Sequence, residues 1–177
     1  MDKREHLESI YKRFGDFEVA SLVYTPQGSV NKFARWLLYS RIRRQDSDFI
    51  NLVNCRTIFD VEVVLDLEDK TKFPDLIKKL NEDNLNYYSF ITGSRGYHVH
   101  LFFPELKFFS SEDRKLMRKK LIERYECDIN KATDRTMIAL ENFPHYKTGR
   151  PKVLHLYKKG VNETFFNDKI WIENLVR

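Results

Sequence analysis

The residues ITGSRGYHVHLFF, from Ile91 to Phe103, are the most informative part of the sequence. YHVHLFF is rich in aromatic and β-branched side chains and is followed by Pro104, which is typical of a strand that ends there. The segment from Tyr87 to Ile91 predicts a second strand, and TGSRG between the two supplies the glycines of a tight turn. The sequence therefore predicts a β-hairpin.

A third strand is predicted upstream, in VEVVLDLED (Val61 to Asp69), which is rich in β-branched residues. The side-chain period of two in a strand places Glu62, Asp66 and Glu68 on one face. A helix from about Phe73 to Asn81 follows this strand. The order of elements predicts an α/β fold, a sandwich of helices on one face of a largely antiparallel sheet.

The remaining elements flank this core. GSRG, the only glycine-rich loop, matches neither GxGxxG nor the loop ending in GK[ST], so a doubly wound nucleotide fold is excluded. Residues 29–56 fit a helix or a strand and stay undecided. The other predictions are a helix from Asp2 to Phe14, a strand from Glu18 to Tyr24, a helix capped by Ser110 or Ser111 that reaches Tyr125, and closing strands or a short final helix at Val153 to Tyr157 and Ile170 to Val176.

Composition favours one domain over residues 1–177, with the motifs at about 58–157. Hydrophobic residues make up 42% and charged residues 32% of the chain, which excludes disorder and fibrous repeats. Cys55 and Cys127 are too few for a zinc knuckle or a disulfide framework, so we expect no structural zinc and a reducing, cytoplasmic or nucleoid-associated location. The charged N-terminus and the lack of an eighteen-residue apolar run predict neither secretion nor membrane insertion.

The net charge of +5 is concentrated in two stretches. Arg114 to Arg124 contains six basic residues and one acidic residue, and Lys147 to Lys159 contains five basic residues and no acidic one. Such clusters suit a polyanion such as nucleic acid, and they equally suit solvated faces.

Asp66 and Glu68 form a candidate pair of metal ligands. Two residues apart on a strand, their α-carbons lie about 6.5 to 7 Å apart, close enough for both carboxylates to share divalent cations. A solvated strand edge is the alternative explanation.

The predicted hairpin turn can bind an anion. Its glycines permit backbone amides to face a phosphate, Thr92 and Ser94 add hydroxyls, and Arg95 adds a bidentate donor. His98 and His100 then project from one face of the following strand. Either they contact a ligand or they are half-buried, hydrogen-bonded core groups.

A third group of polar residues follows. Asp128 and Asp134 lie six residues apart, and His145 and Lys147 gather donors in one later loop. Alone, these charges fit an ordinary surface. With the acid pair and the hairpin, they supply carboxylates and phosphate-binding groups along one chain.

These motifs resemble the archaeo-eukaryotic primase superfamily, which includes the catalytic small subunits of primases and the polymerase domains of bacterial end-joining ligases. Asp66-Leu67-Glu68 is similar to its first motif, and TGSRGYHVH is similar to its second. The resemblance implies that His98 contacts the nucleotide, that Arg95 contacts phosphate, and that Thr92 or Ser94 supplies a hydroxyl.

The third family motif is similar to the segment that begins at Asp128, with Asp134 as the alternative acid. HYKTG, which holds His145 and Lys147, is similar to a small-subunit loop and implies a phosphate contact by Lys147. The resemblance covers roughly Val61 to Gly149.

The resemblance implies a minimal primase core, with a mostly antiparallel sheet related to the RNA-recognition motif and an N-terminal α/β unit. It implies template-directed transfer of nucleotides from NTP or dNTP on single-stranded DNA, with Asp66, Glu68 and Asp128 binding two Mg²⁺ or Mn²⁺ ions. A large subunit, a helicase or a ligase would be a separate partner.

Two other functions stay open. The HVH sequence also occurs in rolling-circle nickases and relaxases, which need a nucleophilic tyrosine, and Tyr125 is the best candidate. A catalytically silent domain could also bind single strands through its basic and aromatic side chains.

Overall fold

The protein is a mixed α and β structure with antiparallel sheets, as the sequence predicts. The computed structural model describes residues 2–24, 30–45, 52–145 and 147–158. In this part of the chain the helices are α1 (Lys3–Phe14), α2 (Tyr39–Ile42), α3 (Phe73–Glu82) and α4 (Ser111–Arg124). The strands are β1 (Glu18–Tyr24), β2 (Val30–Leu38), β3 (Leu52–Thr57), β4 (Glu62–Leu67), β5 (Tyr87–Ile91), β6 (Tyr97–Phe102), β7 (Met137–Ala139) and β8 (Val153–Lys158).

The strands form two four-stranded sheets. The first has the order β2-β1-β3-β7, and the second has the order β4-β6-β5-β8. Every strand pair is antiparallel. The predicted hairpin is β5–β6, at the centre of the second sheet, and the predicted acidic strand β4 pairs with β6. The first sheet takes its last strand, β7, from residues far along the chain.

The undecided segment contains both kinds of structure. β2 continues to Leu38, and the one-turn helix α2 begins at Tyr39, whose ring is fully buried. The N-cap of α4 is Ser110, whose hydroxyl accepts a hydrogen bond from the backbone N–H of Asp113 at 3.1 Å. The predicted element between Ile170 and Val176 lies outside the described residues.

The two faces of β4 belong to different environments. Val63, Leu65 and Leu67 pack under α3 and α4 in an apolar core on the outer face of the second sheet. The alternate residue Val64 packs against Ile138 of the first sheet. Period-two alternation therefore turns the acidic positions of β4 toward the space between the two sheets, where they meet the histidines of β6.

Along the described ranges, no helix has the length and apolar character that crossing a bilayer requires.

Candidate active site

A cleft of about 440 Å³ lies between the two sheets. One wall is made by Cys55 of β3 and residues of β7, Met137 to Ala139. The opposite wall carries eight of the residues singled out from the sequence. They are Asp66, Glu68, Thr92, Ser94, Arg95, His98, His145 and Lys147.

Asp66 and His98 form the centre of this wall. They are directly opposite each other in the β4–β6 register, and His98 Nε2 lies 3.5 Å from Asp66 Oδ1. On the other side, Lys131 Nζ lies 3.8 Å from Asp66 Oδ2. Lys131 is not among the candidate residues read from the sequence, although it lies three residues after Asp128.

Burial raises the pKa of Asp66, and the negative charges of Asp128 and Glu68 raise it further, whereas Lys131 lowers it. Asp66 is therefore close enough to both other carboxylates to be repelled by them. A positive charge placed among them would relieve this repulsion.

Asp128, and not Asp134, lies beside the acid pair. The backbone N–H of Asp128 donates to the carbonyl oxygen of Asp66 at 3.0 Å. Its side chain accepts a hydrogen bond from the N–H of Asn130 and so begins a short 3₁₀ turn. Asp128 is thus held next to the end of β4.

Asp134 has a structural environment. Its carboxylate is bound by Arg114 and Arg118 of α4, and Ser111 donates to it at 2.8 Å. Although burial favours the neutral acid, these hydrogen bonds lower the pKa of Asp134 to about 2. Asp134 therefore anchors α4 to the chain that precedes β7.

Both glycines of the hairpin turn lie in close contact with the backbone of neighbouring segments. Gly96 has a φ of +64°, and a Cβ there would lie 1.8 Å from the carbonyl oxygen of Leu67. Gly93 has a φ of +76°, and a Cβ there would lie 2.3 Å from the carbonyl oxygen of Arg150. The turn therefore packs between the end of β4 and the later basic loop, and only glycine permits both contacts.

The two hydroxyls of the turn differ in their availability. Thr92 is buried; its hydroxyl donates to the carbonyl of Arg95 at 2.8 Å and accepts from the N–H of Ser94 at 3.3 Å. The Thr92 hydroxyl thus closes the turn. The side chains of Ser94 and Arg95 are exposed at the cleft.

The basic loop, residues 145 and 147–150, lies at the same wall of the cleft. Thr148 donates its hydroxyl hydrogen to the carbonyl of Gly93, which ties the loop to the hairpin turn. The N–H of Lys147 donates to Nδ1 of His145 at 3.1 Å, so this nitrogen acts as an acceptor. Burial and the charge of Lys147 lower the pKa of His145, which leaves a neutral imidazole beside the lysine.

The two histidines of β6 have different environments. His98 faces the cleft with 8% of its surface exposed, and among the described residues its buried Nδ1 has no hydrogen-bond partner. His100 is 1% exposed; its Nδ1 lies 2.8 Å from Glu62 and its Nε2 lies 3.1 Å from Lys152. His100 is thus a hydrogen-bonded core group, and only His98 is available to a ligand.

His98 is neutral at physiological pH. Burial lowers the pKa of His98 well below its ordinary value, and the charge of Lys152 lowers it further. Any contact that His98 makes with a ligand is therefore a hydrogen bond of a neutral imidazole.

A buried network next to the cleft was missed by the sequence analysis. Glu62 was assigned only to the face of β4 that carries Asp66, yet it is fully buried and bound by Arg56 and His100. Arg56 also binds Glu141, which contacts Lys152. Two signals in the sequence mark these residues: Glu62 lies inside an apolar strand, and Glu141 directly follows the apolar residues 137–140.

Tyr125 lies away from the histidines. It belongs to the apolar core on the outer face of the second sheet, and its hydroxyl donates to Asp83 at 2.6 Å. Burial raises its pKa to about 12. The structure does not bring together the tyrosine and the HVH histidines that a nickase requires.

The donor chemistry of the cleft fits a hard divalent cation. Asp66 and Glu68 line the cleft and Asp128 lies next to it. Carboxylate oxygens are the ligands that Mg²⁺ and Mn²⁺ prefer, and the repulsion of Asp66 by the other two acids favours a cation. Within the described ranges, no three His, Cys, Asp or Glu side chains are arranged as a ligand set for one ion. The three carboxylates lie near one another, but as described they are not arranged to bind one ion together.

Solved structures of a primase share this architecture. The crystal structure of primase RepB' matches 98% of this chain with a TM-score of 0.57 and 14% sequence identity. The crystal structure of the catalytic domain of primase RepB' in complex with initiator DNA matches 97% of this chain and 92% of that chain, with a TM-score of 0.56 and 14% identity. The chain has the fold of a primase catalytic domain.

The chain spans 62% of the longer primase RepB' chain, so the likeness concerns the catalytic part of that protein. No protein-family model and no curated protein matches this sequence. The primase resemblance read from the motifs is thus supported at the level of the fold, and the likeness to primase small subunits stays a prediction.

Proposed function

We propose that this protein is a template-directed nucleotidyltransferase of the primase-polymerase type, a member of the archaeo-eukaryotic primase superfamily. One observation carries the proposal: an acid pair, a phosphate-binding hairpin and a basic loop, three motifs far apart in sequence, line a single cleft. The fold that brings them together is that of a primase catalytic domain.

The hairpin and the basic loop would bind the triphosphate. Arg95 and Lys147 both line the cleft and would supply positive charge for the β- and γ-phosphates and the leaving pyrophosphate. His98 lies beside Asp66 in the same cleft and would add a hydrogen bond from a neutral imidazole. Ser94 is exposed at the cleft, so its hydroxyl suits a further phosphate contact, whereas Thr92 orders the turn.

The acids would organise the reacting end. Asp66, Glu68 and Asp128 would hold Mg²⁺ or Mn²⁺, which acidifies the attacking 3′-hydroxyl and stabilises charge at the α-phosphate. Burial raises the pKa of Asp66, and the negative charges of Asp128 and Glu68 raise it further, so a cation at this position would be stabilised by all three acids. In the nucleotide-free protein, the ammonium group of Lys131 would partly neutralise the Asp66 carboxylate in place of the cation.

The template would be single-stranded DNA held near the cleft. Of the six basic residues in α4, Arg114, Arg118 and Arg124 form ion pairs with Asp134 and Asp83. In addition, α4 packs on the outer face of the second sheet, whereas the cleft opens between the sheets. The α4 stretch is therefore poorly placed for a template strand that enters the cleft.

The test is incorporation of labelled NTPs and dNTPs on single-stranded DNA, with and without an annealed primer, in Mg²⁺ or Mn²⁺. We expect products from the wild type and none from Asp66→Ala/Glu68→Ala. The matched control is Asp75→Ala/Glu82→Ala, which removes two carboxylates from α3 outside the cleft and should retain activity. Full activity in the Asp66→Ala/Glu68→Ala variant would refute the acid assignment.

The same assay separates the remaining alternatives. The sugar preference of the products shows whether RNA or DNA is made. If no product forms under any condition while single-stranded DNA binds equally well in chelator, the silent binding domain is favoured. A large subunit, helicase or ligase as partner stays a prediction, and restored synthesis on adding one would identify it.

A further inference from the structure

Five buried side chains form a closed ring of polar contacts between the two sheets. Arg56 lies 2.9 Å from Glu62 and 2.6 Å from Glu141. Lys152 Nζ lies 3.5 Å from Glu141 and 3.1 Å from His100 Nε2, and His100 Nδ1 returns to Glu62 at 2.8 Å. Each of the five residues is at most 1% exposed.

The charges of the ring sum to zero, and its contacts determine which nitrogen of His100 carries the hydrogen. Arg56 and Lys152 supply two positive charges, and the two glutamates supply two negative ones. A carboxylate only accepts, so His100 carries its hydrogen on Nδ1 toward Glu62; an ammonium only donates, so Nε2 of His100 accepts from Lys152. His100 is therefore held as one neutral tautomer.

The ring is connected to several of the segments that line the cleft. Arg56 directly follows Cys55 of the β3 wall, and His100 lies two residues after His98 on the same face of β6. Lys152 ends the segment that carries the basic loop, where its carbonyl accepts from the N–H of Asn142 at 2.8 Å. Lys152 Nζ also donates to the carbonyl of Ala139 in the β7 wall at 3.1 Å.

We propose that Lys152 is a positioning residue of the cleft: through the buried ring it holds the β7 wall, the His98 strand and the basic loop in register for nucleotide binding. The inference rests on the proposed function in taking the cleft as the nucleotide site. The single ammonium group of Lys152 contacts Ala139 and Glu141, at and just after β7 of the first sheet, and His100 of β6 in the second sheet. A packing residue of the same size would fill the space without fixing these directions.

The test compares Lys152→Met with Lys152→Met/Glu141→Gln. The single variant leaves Glu141 without one of its cations, so it should lower the melting temperature. The double variant removes one positive and one negative charge, so the ring stays neutral and the melting temperature should largely recover. The matched control is Lys120→Met, which removes an exposed lysine from α4.

In both Lys152 variants we expect KM for the nucleotide to rise about tenfold or more with a smaller change in kcat, because displaced binding groups lower affinity. The control should keep both constants. If KM recovers together with the melting temperature in the double variant, the ring is only structural and the proposal is overturned.

Histidine-side-chain ¹⁵N spectra give a readout that does not depend on activity. We expect loss of Lys152 to shift the Nε2 resonance of His100 and the ring resonances of His98. Unchanged resonances in the Lys152 variants would also overturn the proposal. If the wild type incorporates no nucleotide, the proposed function fails, and these spectra still decide whether Lys152 orders His98.

Discussion

His98 and His100 show how strongly the surroundings of one residue type decide its role. They lie two positions apart on one face of β6, yet His100 is bound on both ring nitrogens and His98 faces the cleft beside Asp66. Because burial and the charge of Lys152 lower the pKa of His98, its neutral ring can give a directed hydrogen bond but carries no net charge. A neutral imidazole in the same cleft as Arg95 and Lys147 suits a directed hydrogen bond to one part of a nucleotide.

We predict that His98→Ala weakens nucleotide binding about ten- to a hundredfold, by loss of a positioned hydrogen bond, and leaves binding of single-stranded DNA nearly unchanged. Calorimetry with a nucleotide and anisotropy with labelled DNA measure the two affinities separately. His155→Ala, at an exposed position of β8, is the control and should change neither. Equal loss of both affinities would contradict the role given to His98.

Asp128 and Asp134 form a matched pair of acids with opposite expected effects. We predict that Asp128→Asn abolishes incorporation with little loss of stability, because Asp128 lies beside Asp66 and its own backbone contact is kept. We predict that Asp134→Asn retains activity and costs about 1 to 2 kcal/mol, a value reduced for solvent screening. Activity assays and thermal unfolding of both variants check this.

The pH dependence adds a second check on Asp134. Its folded pKa of about 2 lies below the ordinary value, so its stabilising effect is complete above about pH 4 and is lost as the pH falls toward 2. The stability difference between Asp134→Asn and the wild type should therefore shrink over that range. A difference that stays constant down to pH 2 would mean that the ion pairs with α4 contribute nothing.

At the scale of elements, the hairpin turn is the piece that joins the parts of the cleft. The backbone at Gly96 contacts the end of β4, and the backbone at Gly93 contacts the basic loop. The Thr148 hydroxyl adds a hydrogen bond to the Gly93 carbonyl. The contacts of this one short turn therefore hold the acids, His98 and Lys147 in fixed positions relative to one another.

We predict that Gly96→Ala costs about 3 kcal/mol, because its Cβ would collide with the backbone of Leu67 in addition to the strain of a positive φ. Gly149→Ala is the control: its φ is +72° and nothing lies within 4 Å, so only the strain of about 1 kcal/mol remains. Urea unfolding of both variants measures the difference. Equal costs would show that the close contact at Gly96 does not limit the fold.

At the scale of the whole molecule, the two sheets enclose a charged interior as well as an apolar one. Arg56 lies on β3 of the first sheet and Glu62 lies on β4 of the second, and both are fully buried. Burial alone would raise the pKa of Glu62; Arg56 and His100 instead lower it to about 2. The ion pairs between the sheets are therefore fully desolvated and depend on their partners.

We predict that Arg56→Met destabilises the protein by about 3 to 5 kcal/mol, because both glutamates lose their shared cation inside the protein. Lys78→Met is the control: Lys78 pairs with Glu82 on the surface of α3, where loss of the pair costs about 0 to 1 kcal/mol. Chemical unfolding monitored by tryptophan fluorescence and by circular dichroism measures both. A small effect of Arg56→Met would mean that water reaches the ring.

The sequence by itself determined the local elements and most of the candidate site. The hairpin, the acidic strand and the α4 cap follow from turn glycines, period-two alternation and a capping serine, which act over a few neighbouring residues. For the same reason Asp66, Glu68, Arg95 and His98 could be singled out before any contact was known. Their spacing is local, and their chemistry is explicit in the residue types.

Only the tertiary structure decided which distant residues meet. The pairing of β7 with β3, the placement of Asp128 beside Asp66, and the different fates of His98 and His100 all depend on contacts between segments far apart in the chain. The ring that joins Arg56 to Lys152 has no local pattern, because buried charges are tolerated only where partners from other elements neutralise them. That neutralisation is a property of the folded sheets together.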